Sequence, residues 1–513
     1  MPIIDFSSFA NSLAATRYGD CLALIAGVLL ALAFAPFDWA YLAFVALALL
    51  FVIWEAVSPV RAALRGFLFG LGLFGFGVSW VFVSVRYYGG ADLFSSISIT
   101  LLFVSVWALF PALTGYLAVK IRSYRRRGMC DVLILPCLWQ LVDYFRGVWF
   151  LNGFPWLQVA YSQLATPIAG YIPVLGSYGA GFIVVLIVNL ALRCGCGKRH
   201  TGFALSAICL LTLCGQVLKQ VAWTHPIGPE ITVSLLQGNI SQEQKWAPEN
   251  RDRTLRQYLA MTDRHWRSDI VVWPETSIPA YYSEVKDAVL QPLEQNAIEH
   301  NSSVVVSLPM TGQTADIKYN TLLVLGKTPS IYHKNHLLPF GEYLPLQPLS
   351  GKILDFLNMR LGQFTPGGDW QSLPVAAGYP FAASICYEDA ISRELLGKLP
   401  QAAFLINVTN DAWFGRSIEP FQHLQIARMR ALESGRYLLR ATNTGVTAIV
   451  SPRGAIIADA PIYRTATVNG TILPMGGNTP YAETGDEPLV LFFMLTVLFC
   501  IAGRYTKTKL NEE

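Results

Sequence analysis

Long apolar stretches without a charged side chain constrain the fold of this chain more than any other feature. A membrane-spanning helix needs about 20 mostly apolar residues. Charge-free stretches lie at 21–37, 39–54, 66–85, 93–119, 147–192, 201–218 and 488–503. The segment 132–150 is apolar except for Asp143 and Arg146, and together with 147–192 it gives two spans, near 132–151 and 172–192. The sequence therefore predicts about eight transmembrane helices, seven before residue 225 and one after residue 486.

Basic residues between these stretches predict the orientation in the membrane. Cytoplasmic loops of membrane proteins are enriched in Lys and Arg. Here such residues follow the even-numbered spans: Arg61 and Arg65; Lys120, Arg122, Arg125, Arg126 and Arg127; Arg193, Lys198 and Arg199; Arg504, Lys507 and Lys509. We therefore expect both termini in the cytoplasm. The segment after the seventh span is then expected on the outer side, which in a bacterium is the periplasmic face of the inner membrane.

Charge divides the chain into two kinds of region. Residues 225–486 contain 21 Lys+Arg and 24 Asp+Glu, whereas the rest contains 17 Lys+Arg and 10 Asp+Glu. We predict an N-terminal membrane domain at 1–224, an outer domain at 225–486, and a C-terminal span with a cytoplasmic tail at 487–513. The net charge of +4 is too small to indicate a nucleic-acid partner. The 53% of hydrophobic residues excludes a disordered chain.

The pattern of the outer domain predicts a layered α/β fold. Short apolar segments typical of strands lie at 230–237, 269–273, 304–309, 321–326, 381–386, 402–408 and 446–451. Amphipathic segments typical of helices lie at 251–267, 284–300 and 418–435. Such alternation favours an α/β domain. Glycine-rich phosphate loops and the His-Glu-x-x-His and Gly-x-Ser-x-Gly motifs are absent from the sequence, so dinucleotide-binding, P-loop, zinc-protease and serine-hydrolase functions lose their usual support.

Asp143 and Arg146 lie three residues apart inside the fifth predicted span. Ionisable residues at membrane depth are costly, and they usually face a protein interior or water. Two interpretations stay open: an i,i+3 ion pair near the membrane interface, or a pair that faces a substrate.

Cys386 is the only one of the nine cysteines in the outer domain. It therefore has no partner for a disulfide within that domain, and it is either a reactive thiol or a buried structural cysteine. The Cys194-Gly-Cys196 pair resembles half of a zinc site. No second pair lies near it in the sequence, so we predict no metal.

Glu275, Lys334 and Cys386 each follow a predicted strand of the outer domain. A cysteine between a strand and a helix-like segment can present its sulfur at a helix N-terminus, where the thiolate is favoured. A nearby lysine would favour the thiolate further and stabilise a developing oxyanion. A glutamate can take the thiol proton and later activate an incoming nucleophile. Taken singly, Glu275 is also compatible with a helix cap and Lys334 with a surface charge.

Ordered motifs around these residues resemble a known superfamily. The Glu–Lys–Cys motifs of the nitrilase superfamily are similar to three segments: Trp273-Pro-Glu275, Lys334-Asn-His-Leu-Leu-Pro-Phe-Gly-Glu342-Tyr and Cys386-Tyr-Glu388. Three further segments narrow the resemblance to the apolipoprotein N-acyltransferase family: Asn410-Asp-Ala-Trp413-Phe-Gly, Gln422-His423 through Arg428-x-Arg430-Ala-Leu-Glu433, and Arg440-Ala-Thr-Asn443-Thr-Gly. With the predicted spans on both sides, the resemblance covers nearly the whole chain.

The resemblance implies a fold and an activity. The fold is α/β: a multi-span helical membrane domain of about eight helices that carries a periplasmic, nitrilase-like αββα sandwich. The activity is transfer of a fatty acyl chain from a phospholipid to the α-amino group of the diacylglyceryl-cysteine of an apolipoprotein, in lipoprotein maturation. The implied partners are the phospholipid donor, the apolipoprotein acceptor and membrane lipid, and no metal or organic cofactor is required.

The same resemblance assigns roles to the outer-domain residues. Glu275 matches the general base, Lys334 the oxyanion-stabilising lysine and Cys386 the nucleophile. Glu342 matches a second glutamate, which orients the lysine and supports proton transfer. Tyr387 lies beside the nucleophile, and its backbone N–H is expected to donate to the oxyanion.

Four further residues have supporting matches. Glu388 matches another residue beside the nucleophile, and Trp246 matches a tryptophan needed near the active site. Trp413 and Trp156 are also expected to bind substrate, but interfacial or core packing explains them equally well, because tryptophan is common at membrane interfaces.

These roles predict a ping-pong reaction with a cysteine thioester intermediate. Two other functions remain open. A membrane-tethered nitrilase-type amidase would use the same three residues with water as the acceptor, although one span would suffice as its tether. A transporter or scaffold with a degenerate hydrolase domain would have no reason to keep all three.

Overall fold

The structure, a computed structural model, describes residues 17–55, 57–122, 130–194, 198–314, 316–345, 351 and 363–512. The chain forms two compact units. The sandwich unit comprises Val83–Ser95 and Ala222–Glu483. The rest of the described chain, before residue 222 and from Thr484 onward, forms the helical unit.

Apolar α-helices build the helical unit. They are α1 (Tyr18–Ala31), α2 (Tyr41–Ile53), α3 (Pro59–Gly77), α4 (Leu93–Arg122), α5 (Cys130–Tyr144), α6 (Ile172–Ala191), α7 (Lys198–Leu218) and a C-terminal helix, Glu487–Glu512. Among the described residues, four stretches are long and apolar enough to cross a membrane: Pro59–Gly77, Leu93–Ile121, Pro167–Ala191 and Lys198–Leu218. Shorter apolar helices lie at Tyr18–Ala31, Tyr41–Ile53 and Glu487–Ala502. Together with α5, these helices coincide with the eight predicted spans. That all eight cross the membrane, and in which orientation, stays a prediction.

Arg146 is buried inside the helical unit, with 3% of its surface exposed. Its Nε donates to Asp143 Oδ1 at 2.9 Å, and its Nη1 donates to the main-chain oxygens of Phe154 and Trp156 at 2.8 and 2.9 Å. The guanidinium thus uses its fixed fork of donors to hold the loop that carries Trp156. Trp156 is itself buried, and its ring packs 5.4 Å from that of Trp80. The acid–arginine pair therefore positions a loop within the protein.

The sandwich unit contains two six-stranded sheets. Its strands are β1 (His225–Pro226), β2 (Ile231–Gln237), β3 (Ile270–Val272), β4 (Ser303–Thr311), β5 (Lys318–Leu325), β6 (Ser330–His333), β7 (Val375–Ala376), β8 (Tyr379–Ile385), β9 (Phe404–Thr409), β10 (Leu438–Thr442), β11 (Ala448–Val450), β12 (Ile456–Asp459), β13 (Ala466–Ile472) and β14 (Met475–Gly476). The first sheet has the order β13-β2-β3-β4-β5-β6 and the second β12-β11-β10-β9-β8-β7, while β1 pairs with β14. Three central strands of each sheet are parallel, β2-β3-β4 and β8-β9-β10.

The sandwich unit also contains α-helices, several of which cover the outer faces of the two sheets. They are α8 (Gln242–Lys245), α9 (Pro248–Asp263), α10 (Tyr282–Val285), α11 (Gln291–Glu299), α12 (Ser392–Leu396), α13 (Glu419–Ser434) and α14 (Pro480–Thr484). Leu255 of α9 and Leu293 of α11 pack on the first sheet, and Ala427 of α13 packs on the second.

The side chains of the apolar strands alternate between two faces, and both faces are buried. Val272 of the first sheet and Ile406 of the second lie in the core between the sheets, whereas Val271 lies in the core under the helices. Because both faces are buried, successive residues of these strands are all apolar. The four layers confirm the predicted α/β sandwich.

Candidate active site

The three candidate catalytic residues follow strands of the sandwich. Glu275 lies in the turn after β3, Lys334 directly follows β6, and Cys386 directly follows β8. Glu275 and Lys334 are buried, with 8% and 1% of their surface exposed, and Cys386 is partly buried. The charges of Glu275 and Lys334 both change the pKa of the Cys386 thiol. The structure therefore brings the three side chains of the two sheets into one site.

Lys334 forms a buried ion pair with Glu342, with 2.7 Å between Nζ and Oε2. The amide of Asn320, on β5, donates to Glu275 at 2.8 Å and to Glu342 at 3.3 Å. Burial opposes the charge of Lys334, but Glu342, Cys386 and Glu275 together raise the pKa of its ammonium group. These neighbours therefore favour the charged form of the lysine. Sequence reasoning misses Asn320, because an asparagine at the start of a strand carries no motif.

Glu388 connects the loop after Lys334 to the turn that contains Cys386. Its carboxylate is fully buried and accepts four hydrogen bonds, from the Tyr332 hydroxyl at 2.9 Å and from the backbone N–H groups of Asn335, His336 and Ile385 at 2.6, 3.0 and 2.8 Å. These N–H groups belong to residues just after the lysine and just before the cysteine. Glu388 therefore fixes the distance between the two.

Cys386 opens a five-residue 3₁₀ turn, Cys386–Ala390. Its φ is 54°, in the left-handed region that non-glycine residues rarely adopt. Backbone strain of this kind clusters at functional sites. The neighbouring Tyr387 is buried, with its ring 6.1 Å from that of His336. The strain and the free thiol favour the reactive interpretation of Cys386.

The prediction that the resting site favours the thiolate form of Cys386 is wrong. Burial is the main cause that raises the pKa of the Cys386 thiol to about 12, and the charge of Glu275 adds to it. Lys334, His423 and a hydrogen bond from Thr409 act in the opposite direction and are outweighed. A single short turn also lacks the aligned peptide dipoles of a long helix. The thiol is therefore protonated until a base removes its proton.

Glu275 is suited to that task. Burial raises the pKa of its carboxyl, and Glu342 raises it further, whereas Lys334 and Lys245 act against the rise. Lys245 also donates from Nζ to the main-chain oxygen of Glu275 at 3.1 Å. A carboxyl with a raised pKa can both accept and return a proton near neutral pH. Lys245 directly precedes Trp246 in the chain but is absent from the predicted site.

A second buried ionic cluster lies behind Cys386. His423 contacts Asp389 through Nε2 at 2.9 Å and Asp411 through Nδ1 at 3.0 Å, and Arg440 contacts the same two carboxylates at 3.0 and 3.3 Å. Burial and the charge of Arg440 lower the pKa of His423, but Asp389 and Asp411, which face the two ring nitrogens, raise it well above its usual value. Asp411, Glu419 and His423 have a spacing that a metal ion could use, and in the structure both ring nitrogens of His423 already contact carboxylates.

The candidate substrate-binding tryptophans differ in exposure. Trp246 follows α8 and is 51% exposed, and Trp413 is 41% exposed. The Trp413 ring lies 5.7 Å from that of Tyr88, which belongs to the same sandwich unit although it precedes α4 in the chain. Trp156 belongs to the helical unit, where it is buried.

Comparison with known proteins assigns the two parts of the chain to family models. Residues 26–190 match the apolipoprotein N-acyltransferase N-terminal domain, and residues 232–473 match the carbon-nitrogen hydrolase domain. The structure of Saccharomyces cerevisiae Nit3, a member of branch 10 of the nitrilase superfamily, is similar at 19% identity with a TM-score of 0.37, over 48% of this chain and 92% of that chain.

Two relatives that match over nearly their whole length have the same name. Apolipoprotein N-acyltransferase of Methylococcus capsulatus is 47% identical over 94% of this chain and 96% of its own length. The protein of that name from Coxiella burnetii is 39% identical over 93% of this chain and 99% of its own length. Identity at this level over nearly the whole length, with both domains matched, means that the chain belongs to the apolipoprotein N-acyltransferase family.

Proposed function

We propose that the chain transfers a fatty acyl chain from a phospholipid to the N-terminal amine of the diacylglyceryl-cysteine of apolipoproteins, through a thioester on Cys386. The observation that carries the proposal is the convergence of Glu275 and the Lys334–Glu342 ion pair on the Cys386 thiol. The full-length relatives support the choice of substrates. The apolar helices of the helical unit support a reaction at a membrane.

The first half-reaction acylates the enzyme. Glu275 takes the thiol proton as Cys386 Sγ attacks the ester carbonyl of the phospholipid. Lys334 and the Tyr387 backbone N–H stabilise the tetrahedral oxyanion. The carbon–oxygen bond breaks, Glu275 returns the proton to the departing lysophospholipid, and a thioester remains. Because the thiol pKa is about 12, this base is required at neutral pH.

The second half-reaction transfers the acyl chain to the acceptor. The lipoprotein amine attacks the thioester carbonyl and loses a proton to Glu275. The carbon–sulfur bond then breaks, and the sulfur regains a proton as the amide leaves. Glu342 orients Lys334 through both half-reactions, and Glu388 holds the lysine and the cysteine in register.

We further propose that all eight helices span the bacterial inner membrane, with both termini in the cytoplasm and residues 225–486 in the periplasm. The distribution of basic loops supports this orientation. A site at the bilayer surface would receive acyl chains from the lipid and keep water from the thioester. In this arrangement the exposed rings of Trp246 and Trp413 contact the lipid substrates, whereas the buried Trp156 packs within the helical unit.

Mass spectrometry of the purified protein incubated with phospholipid alone tests the proposal. We expect an acyl adduct on Cys386 that hydroxylamine removes and that moves to a diacylglyceryl-cysteine peptide. Cys386→Ala should carry no adduct, whereas the control Cys209→Ala, which changes an exposed cysteine of the helical unit, should be acylated as the wild type is. An unacylated wild type that releases ammonia from small amides would instead identify a membrane-tethered amidase.

A further inference from the structure

A second buried lysine, Lys245, lies at the candidate active site. It ends the short helix α8, directly before the exposed Trp246, and only 3% of its surface is accessible. Lysine is almost never buried this far without a partner, because its ammonium group loses hydration. Its Nζ donates to the main-chain oxygen of Glu275 at 3.1 Å.

The turn that Lys245 contacts is strained. Thr276, directly after Glu275, has φ = 47°, and for a β-branched residue this is a rare backbone conformation. Surrounding contacts must hold such a turn in place. Its N–H donates to the Ser307 hydroxyl at 3.1 Å, and the preceding carbonyl accepts from Lys245. The lysine therefore contributes to the position of Glu275.

A purely structural role does not account for the charge of this anchor. The carboxyl of Glu275 and the thiol of Cys386 both act electrostatically on Lys245, and Lys334 and its partner Glu342 also act on Glu275. Two cations thus face two carboxylates and one thiol. When the thiol proton moves to Glu275, the negative charge moves from the carboxylate to the sulfur, and the net charge of the cluster does not change.

We propose that Lys245 is a positioning residue that acts through Glu275: it fixes the turn of this base and supplies the second positive charge that keeps the proton transfer from Cys386 inside a neutral cluster. The inference rests on the proposed function. Without this charge, the cluster would be net negative both before and after the transfer. The developing thiolate would then be disfavoured, since a buried charge is costly unless it is compensated.

The pH dependence gives this role a signature. Burial lowers the pKa of Lys245 to about 8, and Glu275 and Cys386 oppose the change. The wild type therefore loses the second charge as the pH rises through about 8. Arginine at this position would stay charged throughout, and methionine would never carry the charge.

The test is the rate at which Cys386 is acylated by phospholipid from pH 7 to pH 9.5, in the wild type, Lys245→Met and Lys245→Arg. At pH 7 we expect Lys245→Met to be slower by about 10- to 100-fold. Lys245→Arg should recover much of the rate, and its rate relative to the wild type should increase above pH 8. Lys286→Met, which removes an exposed lysine of the same unit, should match the wild type.

Three outcomes would overturn the inference. They are a normal rate in Lys245→Met, a deficit in Lys245→Met that is equal at every pH, and an arginine variant no faster than the methionine variant. If Lys245→Met fails to fold, the acylation rate of Lys245→Arg divided by that of the wild type tests the inference. A ratio of rates that is constant from pH 7 to pH 9.5 rejects the role. A wild type without any thioester would reject the proposed function itself, so the two failures are distinct.

Discussion

Lys334 and Glu342 form a largely buried ion pair, with 2.7 Å between the ammonium nitrogen and the carboxylate oxygen. The other oxygen of Glu342 accepts from Asn320, which also holds Glu275. The pair thus does more than neutralise two buried charges: it connects the proposed oxyanion-stabilising group to the proposed base through one amide. A change in this carboxylate should therefore affect the reaction before it affects the fold.

We expect Glu342→Gln to lower acyl transfer by about 100-fold or more, the loss typical when one stabilising group of an oxyanion site is disturbed. Glutamine still offers an oxygen to the Leu338 N–H, now at 2.8 Å, and Glu275 still acts on Lys334, so the loss of stability should be about 1–2 kcal/mol. Initial rates of the variant measure the loss of acyl transfer, and its melting temperature measures the loss of stability. The exposed Glu249→Gln is the control, and parallel losses in rate and stability would identify Glu342 as a structural residue.

Glu388→Gln should behave in the opposite way, with a large loss of stability. The carboxylate receives four donors, and an amide would point its own N–H groups at some of them. Each donor left without a partner costs about 1–3 kcal/mol, which corresponds to a melting temperature lower by about 2–4 °C per kcal/mol. Differential scanning calorimetry of the variant beside Glu394→Gln, a neighbouring acid, tests this. A variant that melts with the wild type would show that Glu388 does not fix the two loops.

Alkylation should separate the two effects that Glu275 has on Cys386. Because the thiol pKa is about 12, labelling by iodoacetamide should be slow at pH 7 and rise about tenfold per pH unit up to pH 10. The carboxylate of Glu275 raises this pKa, so Glu275→Gln should speed alkylation while it abolishes acylation by phospholipid. Peptide mass spectrometry measures both, with added glutathione as the reference thiol. Slower alkylation in the variant would mean that Glu275 ionises the resting thiol.

The apolar central strands were predictable because burial on both faces leaves a continuous hydrophobic run. Strands β10 and β13 were not predicted from the sequence. The first contains Arg440, and the second has polar residues at alternate positions and includes a glycine. Arg440 is tolerated in a buried strand only because Asp389 and Asp411 lie opposite it, and no local pattern reveals such distant partners.

The same limit applies to the site. The motifs identified Glu275, Lys334 and Cys386, whereas Asn320 and Lys245 act through contacts that only the assembled sheets create. The pKa of the thiol also escaped prediction. It depends on how deeply the turn is buried and not on which residues neighbour it in the chain.

Glu419 should limit the stability of the protein at neutral and alkaline pH. Burial and the charge of Asp411 raise the pKa of its carboxyl to about 7, and its Oε2 has no hydrogen-bond partner among the described residues. An unfolded glutamate ionises near pH 4.5, so the unfolded state is stabilised relative to the folded state between about pH 4.5 and 7, while the folded carboxyl stays protonated. Stability conferred by the neutral carboxyl is thus complete below pH 4.5 and is lost as the pH rises to 7.

Glu419→Gln keeps a neutral side chain at every pH and should avoid this loss. We expect the variant to match the wild type near pH 4.5 and to exceed it by about 2–3 kcal/mol above pH 7, which is several degrees in melting temperature. Melting curves from pH 4.5 to 8.5 test the difference, with Glu249→Gln again as the exposed control. A difference that does not change with pH, or a variant that is less stable at pH 8, would mean that Glu419 is ionised in the folded cluster and serves as a third carboxylate for His423 and Arg440.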